Sequence, residues 1–276
     1  HDPVLAQQDV AIDVHAASVQ LGGVPVLHGV DLQIRSGEFL AIAGVNGAGK
    51  STLTRAIAGL VPLSSGSIAL AGIPLNTLDI RQVGDRVGYV FQNPEHQFLA
   101  HNVRDELAYG LRVRRHPKRE IDDSVDRMLG RFDLARYANV NPFLLSHGEK
   151  RRLSVATALI TEPEILILDE PTFGQDQARA HEIINMICEL NAEGITIIMI
   201  THDLQLIADY ADRVALLSQG HLLKLGGTGE ILCDTELIER AGLRPPPVRR
   251  IALALAQEKP EWHAVYRTGQ IREITP

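Results

Sequence analysis

Residues Gly44 to Ser51 read GVNGAGKS. Gly44, Gly47 and Gly49 let the backbone curl so that successive N–H groups point at one anion, and the helix expected from STLTRAIAGL adds the positive end of its dipole. A plain turn before a helix would explain the glycines but not the Lys-Ser that ends them. With the apolar strand EFLAIAG before it and the helix after it, the segment fits the phosphate-cradling loop GxxxxGK[ST]. Lys50 then serves the β- and γ-phosphates of a nucleotide. Ser51 offers a hydroxyl to Mg²⁺, a cation that keeps several waters and needs few protein ligands.

A second set of polar residues ends apolar strands. Asp169 and Glu170 follow the buried run Ile165 to Leu168, Gln92 follows VGYVF, and His202 follows ITIIMIT. Adjacent strand residues point to opposite faces, so the two acids are expected to divide the work. Asp169 is suited to hold Mg²⁺ through its water shell, and Glu170 to orient and deprotonate an attacking water. Ligands of open parallel sheets bind outside the carboxyl ends of strands, the edge on which all four are expected to converge with the cradle.

The stretch LSHGEK at 145–150 opens another helix. Ser146 and Glu149 form S-x-x-E, the capping-box pattern, which starts the helix with a hydroxyl and a positive dipole end facing outward. Gly148 permits close backbone approach. His147 is open to two readings, a tolerated first-turn residue or a phosphate donor whose charge varies near neutral pH.

These residues need a scaffold. Up to about residue 75 the chain is a series of short strand-like runs separated by Gly, Pro and Ser, and from about 101 to 160 apolar positions fall at helical spacing. The strands EILILD and ITIIMIT, joined by the helix ARAHEIINMICELNAEG, imply a parallel sheet with helices on its faces. The fold class is therefore α/β. It has an antiparallel β part at the N-terminus, a mainly parallel core sheet flanked by helices, a helical insert at about 97–160 and a small appendage. The expected domain runs over 1–233, and the C-terminal extension over 234–276.

Composition narrows the function. The 276 residues are 45% apolar and 22% charged, enough for a full core. A net charge of -7 and 4% aromatic residues argue against nucleic acid as a partner. No apolar run reaches the roughly 18 to 20 residues of a spanning helix. The start, HDPVLAQQD, has neither the basic region nor the apolar core of a signal peptide, and without Met it suggests a processed chain, a tag remnant or a piece of something longer. Cys188 and Cys233 have no metal-ligand spacing and read as reduced core thiols. The cations Arg112, Arg114, Arg115, Lys118 and Arg119 read as a solvated bend rather than a lipid or RNA contact.

In this order the motifs resemble those of the ATP-binding-cassette (ABC) ATPases. The matching stretches are GVNGAGKST at 44–52, Gln92 in VFQNPEHQF, LSHGEKRRL at 145–153, ILILDEPT at 165–172, FGQD at 173–176 and ITHD at 200–203. The resemblance implies that two cassettes, identical or different, meet head to tail, with each ATP between one subunit's cradle and the other's signature helix. Gly44, Asn46, Gly47, Ala48, Gly49, Lys50, Ser51 and Thr52 would then bind MgATP, as would Ser146 and Gly148 from across the dimer, and Asp176 would lie in the loop that crosses the interface. Ser51, Gln92 and Asp169 are the implied metal ligands, and Glu170, His202 and Gln92 the implied catalytic residues.

Within the family, VFQNPEHQF, NVRDELAYGL, DEPTFGQD and AGLRPPPVRRIALAL look most like the ATPase subunits of energy-coupling-factor importers of vitamins and transition-metal ions. FGQD is similar to the second cassette of tandem thiamine-precursor-type ATPases. Such a subunit would hydrolyse ATP at the cytoplasmic face of the cell membrane, held there only through integral membrane subunits. Its C-terminal extension would help hold the dimer, and Asp105 and Glu106 are either contacts for basic residues of a membrane subunit or helix-dipole acids. His147 and Glu149 depart from the usual LSGGQ. So does the upstream segment ASVQLGG, which offers only Val19 and Leu21 where the family stacks adenine on an aromatic ring. The alternatives are an ABC ATPase acting on ribosomes or DNA, against which the single cassette, negative charge and absent heptads weigh, and a cassette that binds ATP without hydrolysing it, against which Glu170 and His202 weigh.

Overall fold

The structure is a computed structural model that describes residues 9–274, so the reading of the N-terminal HDPVLAQQ lies outside it. The chain forms two compact units, one reaching Asn76 and resuming at Ile198, the other spanning Thr77–Ile197.

The first unit begins with β1 (Val10–Leu21), β2 (Val24–Arg35), β3 (Phe39–Ala43), α1 (Lys50–Ile57), β4 (Ser65–Leu70) and β5 (Ile73–Pro74). β1 pairs antiparallel with β2 and β4, and β4 with β5, giving the order β2-β1-β4-β5. Alternation decides which face is covered: Val30, Leu32 and Ile34 of β2 are buried, while Asp31 and Arg35 face solvent. β3 carries no polar residue and is buried at every position, as a strand covered on both faces must be.

The second unit holds α2 (Ile80–Gly84), β6 (Val87–Val90), α3 (Val103–Val113), α4 (Lys118–Arg131), α5 (His147–Leu159), β7 (Ile165–Asp169) and α6 (Gln177–Ala192). β6 and β7 are parallel, with Val90 opposite Leu168. The three helices α3 to α5 occupy the stretch where helical spacing was read. In α4 the buried residues Ile121, Val125, Met128 and Leu129 recur at that spacing. Asn102, Ser146 and Asp176 cap α3, α5 and α6 by accepting first-turn N–H groups.

β8 (Thr196–Ile200), buried throughout, returns the chain to the first unit. There follow α7 (Leu204–Tyr210), β9 (Arg213–Ser218), β10 (His221–Gly227), α8 (Thr228–Cys233), α9 (Thr235–Arg240), α10 (Pro247–Leu255) and α11 (Thr268–Ile274). β9 lies parallel to β3 and antiparallel to β10. Ala41 and Ala43 of β3 share a core with Val214 and Leu216 of β9, Ile207 of α7, Ile231 of α8 and Ile238 of α9. The appendage has a separate small core of Ala252, Ala256, Trp262 and Val265 that begins only at α10, because α9 packs into the main core. Buried Arg249 ties that small core to the end of α8 by donating to the Cys233, His263 and Val265 carbonyls. Among the described residues no helix is long and apolar enough to cross a membrane.

Candidate nucleotide site

β3 delivers the chain into the loop 44–49. Gly44, at φ +153°, could carry no side chain, since a Cβ there would lie 2.3 Å from the Leu217 carbonyl oxygen of β9. Gly49, at φ +97°, caps α1 in a left-handed conformation with Leu27 of β2 pressed against it at 2.7 Å from where a Cβ would be. Above Gly47 nothing lies within 4 Å, and Val45, Asn46 and Gly47 are exposed. The loop is therefore packed from below and open above.

Lys50, the first residue of α1, is 7% exposed. Its Nζ donates to the carbonyls of Gly44 at 2.8 Å and Val45 at 3.0 Å, which closes the loop into a ring around the ammonium. Ala48 fastens the ring to the scaffold, its N–H donating to Val45 and its carbonyl accepting from Gly220. Ser51 and Thr52 follow, half-buried, in the first turn of α1, where the helix dipole favours anions. His202 belongs to the same unit. The Thr201 N–H beside it donates to Ile42 of β3 at 3.3 Å, and Asp203 after it caps α7. Pinned on both sides, the exposed His202 stands at the strand end from which the cradle springs.

The second unit gathers the acids. Asp169 ends β7, 2% exposed, and its Oδ2 accepts from the Tyr89 hydroxyl at 3.3 Å. Glu170 is 8% exposed and takes a left-handed backbone, φ +48°. That conformation costs a non-glycine residue roughly 1–2 kcal/mol, and such strain clusters at functional positions. Because Val90 lies opposite Leu168, Gln92 leaves β6 at the edge where Asp169 and Glu170 leave β7. Gln92 is exposed. The structure thus brings Gln92, Asp169 and Glu170 together in one unit, and His202 and the cradle in the other.

The cap of α5 forms as its sequence requires: the Ser146 N–H donates to Glu149 Oε2 at 2.8 Å and Ser146 Oγ accepts from the Glu149 N–H at 3.4 Å. Glu149 Oε1 accepts from the Tyr137 hydroxyl, so the carboxylate turns back onto its own helix. Burial works against its charged form, but the hydroxyl and cap bonds outweigh it and hold the carboxyl below its ordinary value. Exposed His147 meets the Gln175 amide through Nδ1 at 2.7 Å, and its Nε2 lies 3.5 Å from where a Cβ on Gly174 would be. Asp176 caps α6 through the Arg179 N–H at 3.0 Å.

The family model described as ABC transporter matches residues 27–173. The chain belongs to the ABC transporter family. It is 38% identical over 226 residues to the energy-coupling factor transporter ATP-binding protein EcfA of Methanothermobacter thermautotrophicus, a match covering 81% of this chain and 73% of that protein. The solved structure of cbiO1 from Clostridium perfringens, part of the ABC transporter complex cbiONQ, superposes with a TM-score of 0.75 at 30% identity, covering 93% of this chain and 98% of the other. The chain spans 37% to 42% of the length of other curated relatives. One of these is named as an HMP/thiamine import ATP-binding protein of Bacillus subtilis, 39% identical over 236 residues, 85% of this chain.

Several residues of the cassette were not visible as functional in its sequence. Arg151 reads as one of three consecutive surface cations but is fully buried, donating to the carbonyls of Phe91 and Gln92. Burial brings its pKa down to about 10, against the opposing pull of Asp169. Tyr89 and Tyr137 draw no functional reading from the sequence. Their hydroxyls serve Asp169 and Glu149.

Of the two readings of Asp105 and Glu106, both of which lie in the first turn of α3, the partner contact does not hold for Glu106. Glu106 is 1% exposed, and its carboxylate accepts from the N–H groups of Leu99 at 2.8 Å and Ala100 at 2.7 Å, so it clamps its own loop and is not displayed to a partner. Burial pushes that carboxyl up. Asp105 pairs with Arg112 at 2.7 Å, and Arg114 and Arg119 pair with Asp85 and Asp123, which fits the basic run being a solvated bend. Among the described residues no three His, Cys, Asp or Glu gather into a metal cluster, and burial pushes the Cys188 and Cys233 thiols up.

Proposed function

We propose that the chain is the ATP-hydrolysing subunit of an importer of the energy-coupling-factor type, taking up a vitamin or a transition-metal ion. It pairs head to tail with a second cassette, identical or different, and sits on the cytoplasmic face of the membrane through integral membrane subunits. The observation that carries this reading is the cradle: a loop too tight for side chains below, open above Gly47, and ringed around the Lys50 ammonium.

Ser51, Gln92 and Asp169 each offer an oxygen donor of the hard kind that suits Mg²⁺, which when bound would neutralise phosphate charge. The chain supplies the rest. Backbone N–H groups of Asn46, Gly47 and residues 49–52 and the Lys50 ammonium hold the phosphates, Glu170 takes the proton of the attacking water, and His202 and Gln92 orient the terminal phosphate and that water. Ser146, Gly148 and Asp176 serve the nucleotide across the dimer, supported by the outward-facing N-terminus of α5. The extension 234–276 contributes to the dimer through Ile251 and Leu255, which lie exposed one turn apart on α10.

Affinity purification from native membranes tests the assignment. Integral membrane subunits are expected to co-purify. Ribosomes or DNA factors without them would sink it.

A further inference from the structure

The first turns of α5 are tied to segment 91–97 at four points. Lys150 Nζ meets Glu95 Oε1 at 2.6 Å, and Gln97 Nε2 donates to the Ser154 carbonyl at 3.0 Å. Between them Arg151 donates from Nη1 to Phe91 O at 2.8 Å and from Nη2 to Gln92 O at 2.7 Å. Lys150 holds the Glu95 side chain, and Gln97 reaches the main chain of α5 with its own side chain. Arg151 holds the main chain itself, from full burial.

A guanidinium is a costly way to fasten a strand end. Its Nε finds no protein partner among the described residues, and a well-packed apolar side chain of similar length would avoid the desolvation of a buried charge. What the cation achieves is a fixed geometry, two donors of one rigid plane on two successive carbonyls. Those carbonyls directly follow β6, whose last residue, Val90, pairs with Leu168, the residue before Asp169. Asp169 adds to the effect by favouring the guanidinium's charge. Five residues before Arg151, the same helix is capped by Ser146.

We propose that Arg151 is a positioning residue for ATP hydrolysis, locking the main chain of Phe91 and Gln92 to the helix that Ser146 caps. A shift of that helix when Ser146 engages a nucleotide then reaches the Gln92 side chain through one guanidinium. The proposal rests on the assignment of Gln92 to the hydrolytic site.

The test compares the full chain with Arg151→Met, Arg151→Lys, Gln92→Ala and the double variant Arg151→Met with Gln92→Ala, measuring steady-state ATP hydrolysis, binding of a fluorescent ATP analogue and thermal melting. Arg151→Met is expected to lower kcat by about 10- to 100-fold, the scale of a small misplacement at a reacting centre, with ATP affinity and melting near wild type. Arg151→Lys restores part of kcat, since an ammonium reaches one carbonyl but not both in a plane. The double variant turns over like the slower single variant, because the two residues act as one unit. Losses that multiply in the double variant, or wild-type kcat in Arg151→Met, would overturn the proposal. Should Arg151→Met melt early, Arg151→Lys carries the test, and wild-type kcat there overturns it equally. If Gln92→Ala alone turns over normally, the role of Gln92 fails and this proposal with it; if Gln92→Ala is slow while Arg151→Met is not, the proposal fails alone.

Discussion

Lys50 Nζ lies 2.8 Å from the Gly44 carbonyl oxygen, so the charge proposed to meet a phosphate is positioned by its own loop. Lys50→Met removes that charge while leaving the glycines and the start of α1 in place. A charge-assisted bond is worth about 1.5–3 kcal/mol, so affinity for a fluorescent ATP analogue should fall roughly 10- to 100-fold. Wild-type binding by the variant would show that the cradle does not recognise phosphate through Lys50.

Glu170 sits one residue past β7 in a left-handed conformation and almost buried. Glu170→Gln keeps the shape and the hydrogen-bonding reach but cannot accept the proton of water. Hydrolysis should fall by about 10²- to 10⁴-fold with ATP binding unchanged. The variant should also accumulate as an ATP-trapped dimer, read by size-exclusion chromatography with light scattering. Normal turnover would remove Glu170 from the role of base.

The cradle and the acids were legible because their signals are local. A Gly-rich loop between an apolar strand and a helix, or two acids after ILIL, fixes its own geometry within a few residues. Ser146 and Glu149 are equally local, and their capping box forms as the sequence indicates. Arg151 was not legible, because its partners lie 59 and 60 residues earlier and only burial separates it from Lys150 and Arg152. Glu106 failed for a related reason: a first-turn acid reads as solvent-facing, and nothing local says that the loop of Leu99 and Ala100 folds over it. The extension read from residue 234 likewise hid that α9 fills the main core, since amphipathic spacing reports a buried face without naming what covers it.

Glu149 gives a pH dependence with a definite sign. Its folded-state pKa is depressed, so the stability it contributes is fully present above the ordinary carboxyl value of 4.5 and is lost as pH falls through the lower folded value. Glu149→Gln keeps the capping pattern, since Gln serves at that position too, but carries no titrating charge. Below pH 4.5 the melting temperature of the wild type should therefore fall more steeply than that of the variant. Parallel curves would show that the depressed pKa does not bear on folding.

His147 occupies a position where the family pattern has Gly, yet its ring is engaged within its own unit by Gln175, 2.7 Å from Nδ1. A side chain committed to Gln175 steadies the loop ahead of Asp176. His147→Gly should leave the pH profile of ATP turnover unchanged over about pH 5 to 8, the window in which histidine side chains act as switches. Faster amide hydrogen exchange in 174–176 should accompany the substitution, because the contact over Gly174 is lost. A profile that loses an ionisation in that window would instead make His147 a phosphate donor, and the departure from LSGGQ would then be a chemical one.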